Sequence, residues 1–140
     1  MKKIFKAFAG VAVVAALSMI SSCTKTCDLG YEGDNCKTEV RTKYLGNFNG
    51  SEACSSGNST IAVNVITVSG DVTKVTFANL YNAGFNTTGT VQADGSITIA
   101  NQTFGTGQIS GTAEIASGKV KVTYTVTGGG VSDACTWTQN

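Results

Sequence analysis

Short runs of alternating apolar and polar residues fill the chain from about residue 41 onwards. Within 118–127, every second residue from Val120 to Val126 is apolar, and the residues between them are Lys or Thr. A period of two predicts a strand with one buried face, and no window has the apolar spacing of an amphipathic helix. The density of Thr, Val and Ile, without any Pro, supports the same interpretation. We therefore predict eight strands, at 43–50, 59–69, 73–80, 88–93, 96–101, 107–116, 118–127 and 132–138.

Turn-forming residues separate these strands and set their connections. Asp94-Gly95 is a candidate type I′ hairpin turn, and Ala116-Ser117-Gly118 joins another pair of strands. The apolar face changes after Val65, which predicts a bulge or twist there. Short connections favour an antiparallel meander. The predicted fold class is all-β, a single meander of about eight strands closing into a small lipocalin-like barrel or a tight sandwich.

The chain begins with a segment that has a different pattern. Lys2, Lys3 and Lys6 precede an apolar or small run over 7–17, which is the arrangement of a secretory signal. The run is shorter than the roughly 20 residues that a transmembrane helix needs. We predict that residues 1–22 are a cleaved signal.

The signal ends in Ile20-Ser21-Ser22-Cys23, which resembles a bacterial lipobox. The resemblance implies cleavage before Cys23 and acylation of its thiol, and two or more acyl chains give stable membrane anchoring. It also implies a lipid-anchored protein of the cell envelope, expected at the outer membrane and facing either the periplasm or the cell surface. An ordinary secretory signal with an unrelated Cys nearby is the alternative.

Cleavage changes the charge of the protein. Three of the ten Lys and Arg residues lie in 1–22 and none of the nine Asp and Glu residues do, so residues 23–140 carry a net charge of −2. The remaining basic residues are scattered, without the basic patch or stripe of a nucleic-acid-binding protein. We expect no nucleic-acid partner.

Four cysteines remain once Cys23 is assigned to lipid: Cys27, Cys36, Cys54 and Cys135. Four cysteines allow three pairings, and an exported protein meets an oxidising compartment that favours disulfides. The chain has no His and no CxxC, so a zinc site is disfavoured.

The segment from Cys27 to Cys36 resembles the last loop of an epidermal-growth-factor-like module, with Gly30 and Gly33 suited to turn positions. The resemblance implies a Cys27–Cys36 disulfide and covers these ten residues only, so calcium binding does not carry over. Cys54 then pairs with Cys135, which would bring the first and last strands together. The domains are therefore predicted as a signal at 1–22, a lipidated tether with a Cys-stapled stub at 23–40, and a β-domain at 41–140.

Little in the sequence indicates catalysis. The absence of His excludes Ser-His-Asp and Cys-His nucleophilic arrangements. Asp71, Asp94 and Asp133 lie beside turns, where Asp usually accepts backbone hydrogen bonds. Most aromatic residues are expected in the core, but Tyr81 and Phe85 flank Asn82-Ala83-Gly84 and are the first candidates for ligand contact. We predict no enzyme activity, no cofactor and no metal.

The whole chain resembles the small, Thr/Gly-rich, Cys-stapled lipoproteins of Bacteroidota-type bacteria. That resemblance implies a non-enzymatic structural or interaction module, expected to be monomeric, with a protein or glycan partner at the envelope. The alternative is a lipocalin-like barrel that binds a small apolar ligand in a cavity of at least ~300 Å³. An interior filled by side chains would leave only the outer surface for function. The residues expected to fill it are Val63, Val75, Ile97, Val122, Tyr124 and Trp137.

Overall fold

A computed structural model describes residues 26–140, and the predictions for 1–22 and Cys23 lie outside them. A small hairpin, β1 (Tyr31–Glu32) and β2 (Thr38–Glu39), leads into a 3-10 helix at Val40–Lys43. Eight longer strands follow, and a 3-10 turn at Leu80–Asn82 joins the third and fourth of them. These strands are β3 (Gly46–Cys54), β4 (Gly57–Val68), β5 (Asp71–Ala78), β6 (Asn86–Val91), β7 (Ile97–Phe104), β8 (Gly107–Ala116), β9 (Lys119–Gly128) and β10 (Val131–Gln139).

The eight strands form a closed barrel in which each strand pairs with the next in antiparallel fashion. β10 returns to pair with β3, with Cys135 opposite Cys54. The predicted all-β class, the strand count and the meander are confirmed, and of the two closures proposed the barrel is the one observed. Among residues 26–140, no helix has the length and apolar character needed to cross a membrane.

Strand boundaries differ most at the start of the domain. The first barrel strand, predicted at 43–50, begins at Gly46 and runs to Cys54, because Val40–Lys43 forms the 3-10 helix instead. The strand predicted at 96–101 extends to Phe104. The strand at 107–116 lies where it was predicted.

The irregularity predicted near Val65 lies further along, between Thr67 and Val68 where β4 pairs with β5. The buried side chain of Arg41 lies at this point. Its Nη1 donates hydrogen bonds to the carbonyl oxygens of Val68 (3.0 Å), Asp71 (2.7 Å) and Lys74 (3.2 Å). Arg41 lies outside the two strands, so the carbonyl groups beside the bulge have a hydrogen-bond donor from another element.

The prediction of a type I′ turn at Asp94-Gly95 is wrong. Gly95 has a φ of +82° but Asp94 is not among the residues with positive φ, and a type I′ turn needs both. The Asp94 carboxylate instead accepts hydrogen bonds from the backbone N–H (2.9 Å) and hydroxyl (2.6 Å) of Ser96. Paired positive φ values occur at Ser117-Gly118 (52° and 77°) and at Gly129-Gly130 (58° and 81°).

The barrel interior is filled by side chains. All six residues that were expected to fill it are buried, and none is more than 2% exposed. Trp137 occupies space beside Gly50, where a Cβ atom would overlap the indole ring. This packing argues against an interior ligand of the lipocalin type.

The pairing of β6 with β7 includes the fewest residue pairs of any two neighbouring strands in the barrel, namely Thr90–Thr98 and Val91–Ile97. Beyond these pairs, the Gln102 side chain takes the place of a backbone strand. Its amide accepts from the N–H of Thr88 (2.9 Å) and donates to the carbonyl oxygen of Thr88 (2.8 Å). A side-chain amide has the same donor and acceptor groups as a peptide, so it closes this seam.

Both expected disulfides are present, Cys27–Cys36 in the hairpin and Cys54–Cys135 between β3 and β10. The second spans 81 residues of sequence and joins the strands that close the barrel.

We expect the double variant Cys54→Ala/Cys135→Ala to lower the free energy of unfolding by about 4 kcal/mol, since the cross-link restricts a long loop in the unfolded chain. Denaturant unfolding followed by Trp137 fluorescence measures the loss. Cys27→Ala/Cys36→Ala is the matched control, and it should change barrel unfolding by less than half as much because its loop is short and outside the barrel. Equal losses in the two variants would contradict this assignment.

Candidate binding site at the distal end of the barrel

The two ends of the barrel differ in what covers them. The hairpin stub, defined here as residues 26–39, packs at one end, which we call the proximal end. There the Val40 N–H donates to the Gly30 carbonyl (2.9 Å), and Gly30 packs against Val72 and Thr73 beside the β4–β5 turn. The connections β3–β4, β5–β6, β7–β8 and β9–β10 lie at the opposite, distal end.

The β5–β6 connection, residues 79–85, folds over the distal end. Leu80 is fully buried and closes the core, while the Asn79 side chain holds the loop in place. The Asn79 amide donates to the Ala62 carbonyl (2.9 Å), and its oxygen accepts from the Gly84 N–H (3.1 Å). Asn and Gly in this segment suit a chain that turns through left-handed conformations.

Tyr81 in this loop has a φ of +58°, which is uncommon for a bulky residue. Its backbone N–H donates to Glu52 Oε1 (3.2 Å) and to the Tyr124 hydroxyl (3.0 Å), and its own hydroxyl donates to Asp133 Oδ2 (2.8 Å). Unfavourable backbone geometry of this kind persists only where surrounding contacts impose it, and it clusters at functional sites. The three contacts that hold Tyr81 in this conformation therefore make the loop a candidate functional segment.

A groove of about 320 Å³ lies beside this loop. Phe85 and Phe104 form part of its wall and meet edge to face, with ring centroids 5.3 Å apart. Phe85 is 47% exposed and Val131 is 68% exposed, so a substantial apolar surface faces solvent. Apolar side chains that are exposed together in one groove are candidates for contact with a ligand or partner.

Glycines contribute much of the rest of the groove lining. Gly105 lies under the Phe85 ring, and Gly107 is so close to Thr127 that a Cβ atom would overlap its carbonyl oxygen. Gly128 lines the same groove. The space that a Cβ atom would fill at Gly105 and Gly107 is occupied by this chain's own atoms, so packing within the chain accounts for these two glycines.

Asp133 is the charged residue in the groove lining, and it is only 4% exposed. Its carboxylate accepts hydrogen bonds from the Ser56 N–H (3.0 Å), the Ser56 hydroxyl and the Tyr81 hydroxyl. The hydrogen bond from the Ser56 side chain lowers the pKa of Asp133, the bond from Tyr81 adds to the effect, and burial opposes it. Asp133 is therefore ionised at neutral pH.

A second carboxylate, Glu52, lies behind the groove and is only 4% exposed. It accepts hydrogen bonds from the Tyr124 hydroxyl, the Tyr81 N–H and the Ser59 hydroxyl. Burial, followed by the hydrogen bond to Glu52, raises the pKa of Tyr124, so its proton stays on the phenol oxygen.

Charge is distributed unevenly between the ends. All six Lys and Arg residues in the part of the chain that the structure describes lie in the stub or on the proximal half of the barrel. The four ion pairs found among residues 26–140 also lie there and involve Glu39, Glu32, Asp71 and Glu114. The distal end has two carboxylates whose partners in that range are neutral donors.

Asp133 also approaches Cys54 and Cys135, and the candidate ligand atoms of the three residues lie within 4.8 Å of one another. Both sulfur atoms belong to a disulfide. Metal ions bind cysteine as thiolate, so this group does not offer a metal site while the disulfide is intact.

Another cavity, of about 620 Å³, lies on the outer face of β3, β4 and β10 and is lined mainly by Ser, Thr and Asn side chains. It lacks aromatic walls. The distal groove combines apolar surface, an ionised group and backbone strain, so it is the stronger candidate.

The two aromatic residues proposed from the sequence, Tyr81 and Phe85, lie together in the lining of this groove. Asp71 and Asp94 accept backbone hydrogen bonds within their turns, as predicted. Asp133 was also expected to accept hydrogen bonds at its own turn. It instead accepts one from the N–H of Ser56, in the β3–β4 connection, and lines the groove. Its alternation with Cys135 and Trp137 places it on the inward face, a signal that the sequence did contain.

Comparisons with protein-family models, curated proteins and solved structures gave no match to this chain. A fold hosts many functions, so the role of this protein must be argued from the groove and its surroundings.

We expect Ser56→Ala to raise the pKa of Asp133 toward the ordinary Asp value of about 3.9, because it removes the hydrogen bond that lowers that pKa most. Tyr81→Phe should raise it less. Because a lowered pKa stabilises the fold above about pH 4 and the stabilisation is lost as pH falls through the folded value, acid unfolding should begin at higher pH in Ser56→Ala.

Carboxyl 13C NMR titration measures the pKa of Asp133 directly, with Asp94 as the internal control. An unchanged Asp133 titration in both variants would show that these hydrogen bonds do not hold its charge.

Proposed function

We propose that this protein is a non-enzymatic cell-envelope lipoprotein, anchored through acylated Cys23, that acts as an interaction module through the distal end of its barrel. The observation that supports it most is the opposition of the two ends. The stub that follows Cys23 packs at the proximal end, whereas the apolar groove lies at the distal end.

The short chain between Cys23 and the stub would hold the proximal end of the barrel near the membrane. Cys23 and Cys27 are four residues apart, so the link between an acylated Cys23 and the first stub cysteine is at most about 14 Å long. The proximal end would then stay close to the membrane surface. β4 has 12 residues, so the distal groove would stand roughly 30 Å further out, given a typical rise and tilt.

The filled interior directs function to the outer surface. Tyr81 and Phe85, with Phe104 and Val131, form the apolar surface of the distal rim. The partner would be a protein or a glycan of the envelope, bound by a monomer. The absence of His and the engagement of both distal carboxylates by neutral donors support a binding role over catalysis.

We expect the mature protein to begin at Cys23 and to carry acyl chains on it, which intact-mass and N-terminal peptide mass spectrometry would show. Cys23→Ala should move the protein from the membrane fraction to the soluble fraction of the envelope. Cys27→Ala/Cys36→Ala should leave it in the membrane fraction, since these residues form a disulfide. An unmodified Cys23, or a different mature N-terminus, would overturn the anchoring.

We expect a photo-reactive benzophenone side chain at position 85 to cross-link to an envelope component in intact cells. The matched control is the same side chain at Ile115, an exposed apolar residue at the proximal end of β8. Cross-linking from 115 but not 85 would contradict the assignment of the interaction to the distal end.

A further inference from the structure

We infer that the distal groove binds a segment of another protein that presents a Lys or Arg side chain next to an apolar residue. This inference rests on the proposed function and specifies the chemistry of the partner. Three features of the groove carry it: an exposed apolar wall, a negative charge with no cation near it among residues 26–140, and three glycines in the lining.

The wall requires an apolar neighbour on the partner. Phe85 is 47% exposed although its edge contacts Phe104, and Val131 is 68% exposed. Covering such surface is favourable in proportion to the apolar area removed from water. Aromatic faces also attract cations positioned over the ring.

The negative charge of the groove favours a basic residue on the partner. Asp133 is ionised and lines the groove, and Glu52 lies behind it, where it accepts a hydrogen bond from the Tyr81 N–H (3.2 Å). Within residues 26–140, every Lys and Arg lies in the stub or on the proximal half of the barrel, so none neutralises this end. Charge complementarity across an interface favours the partner of opposite sign.

The hydrogen-bond capacity of Asp133 favours a cation over a sugar. Its Oδ2 already accepts from the Ser56 and Tyr81 hydroxyls, and its Oδ1 accepts from the Ser56 N–H. The Ser55 backbone also contributes a hydrogen bond that lowers the pKa of Asp133, and Asp133 is only 4% exposed, so its lone pairs are largely engaged. A carboxylate in this state offers its charge more than free acceptor positions, which suits an ammonium or guanidinium group better than the several hydroxyl groups of a glycan.

The glycine lining favours a chain segment over an isolated small amine. Gly105 and Gly128 are exposed and line the groove, so backbone without a side chain forms this part of its surface. A second copy of this chain on the same membrane is not the expected occupant, because the basic residues within 26–140 lie in the stub or on the proximal half of its own barrel.

The test uses the full-length protein in detergent and two pentapeptides, acetyl-Gly-Phe-Lys-Phe-Gly-amide and its analogue with norleucine in place of Lys. Isothermal titration calorimetry should show that the Lys peptide binds at least tenfold more tightly. Phe85→Ala should weaken the Lys peptide about tenfold, whereas Ile115→Ala, its matched control, should not. Asp133→Asn should abolish the preference for Lys, whereas Asp94→Asn should retain it, with thermal unfolding confirming that each variant is folded.

Equal affinity for the two peptides, or no binding of either, would overturn the inference, and both readouts use the wild-type protein, so they stand even if Asp133→Asn does not fold. Binding of chitotriose that is lost in Phe85→Ala would assign the groove to a glycan, and Phe85-dependent dimerisation would assign it to a second copy. If neither peptide binds while position 85 still cross-links in cells, the partner chemistry is wrong and the proposed function stands.

Discussion

The pairing of β10 with β3, fixed by the Cys54–Cys135 disulfide, is the interaction on which the rest of the structure depends. It closes the barrel, and it also builds the groove. Side chains two residues apart on a strand share a face, so the pairing that aligns Cys54 with Cys135 also places Glu52 and Asp133 on the inner side of the distal rim. Tyr81 contacts both carboxylates, with its N–H on Glu52 and its hydroxyl on Asp133. The loop conformation is therefore a consequence of how the ends of the sheet meet.

The distal end concentrates features that cost stability. Two carboxylates are withdrawn from water without a cationic partner in the described chain, and Tyr81 adopts a left-handed backbone conformation. Hydrogen bonds from neutral donors offset part of the cost of burying the charges. At the proximal end, charges of both signs pair, and Asp71 and Asp94 accept backbone hydrogen bonds in their turns, although Ser117 also has a positive φ (52°). Natural proteins depart from such local rules mainly where function requires it.

The features that follow from local patterning could be predicted from the sequence. Alternation gave the strand count and the meander, and the loop resemblance around Cys27–Cys36 led to both disulfides. Features set by distant contacts could not be predicted. The bulge lies where Arg41 donates hydrogen bonds to three carbonyl groups. The φ of Tyr81 depends on contacts with Glu52 and Asp133, which are separated from it by 29 and 52 positions in the sequence. Asp133 was missed for a different reason, since its position near a turn outweighed the alternation that places it inward.

The number of strands explains why the two ends play different roles. In an antiparallel barrel with eight strands, the first strand enters and the last strand leaves at the same end. β3 follows directly from the stub and its 3-10 helix, so any tether upstream of residue 26 arrives at the proximal end. The four distal connections carry no such attachment, and loops on a rigid scaffold are where binding residues are commonly found. An odd number of strands would have placed the end of the last strand beside the groove. Because the number of strands is even, the start of β3 and the end of β10 both lie at the proximal end. The distal rim carries the apolar groove and its two carboxylates.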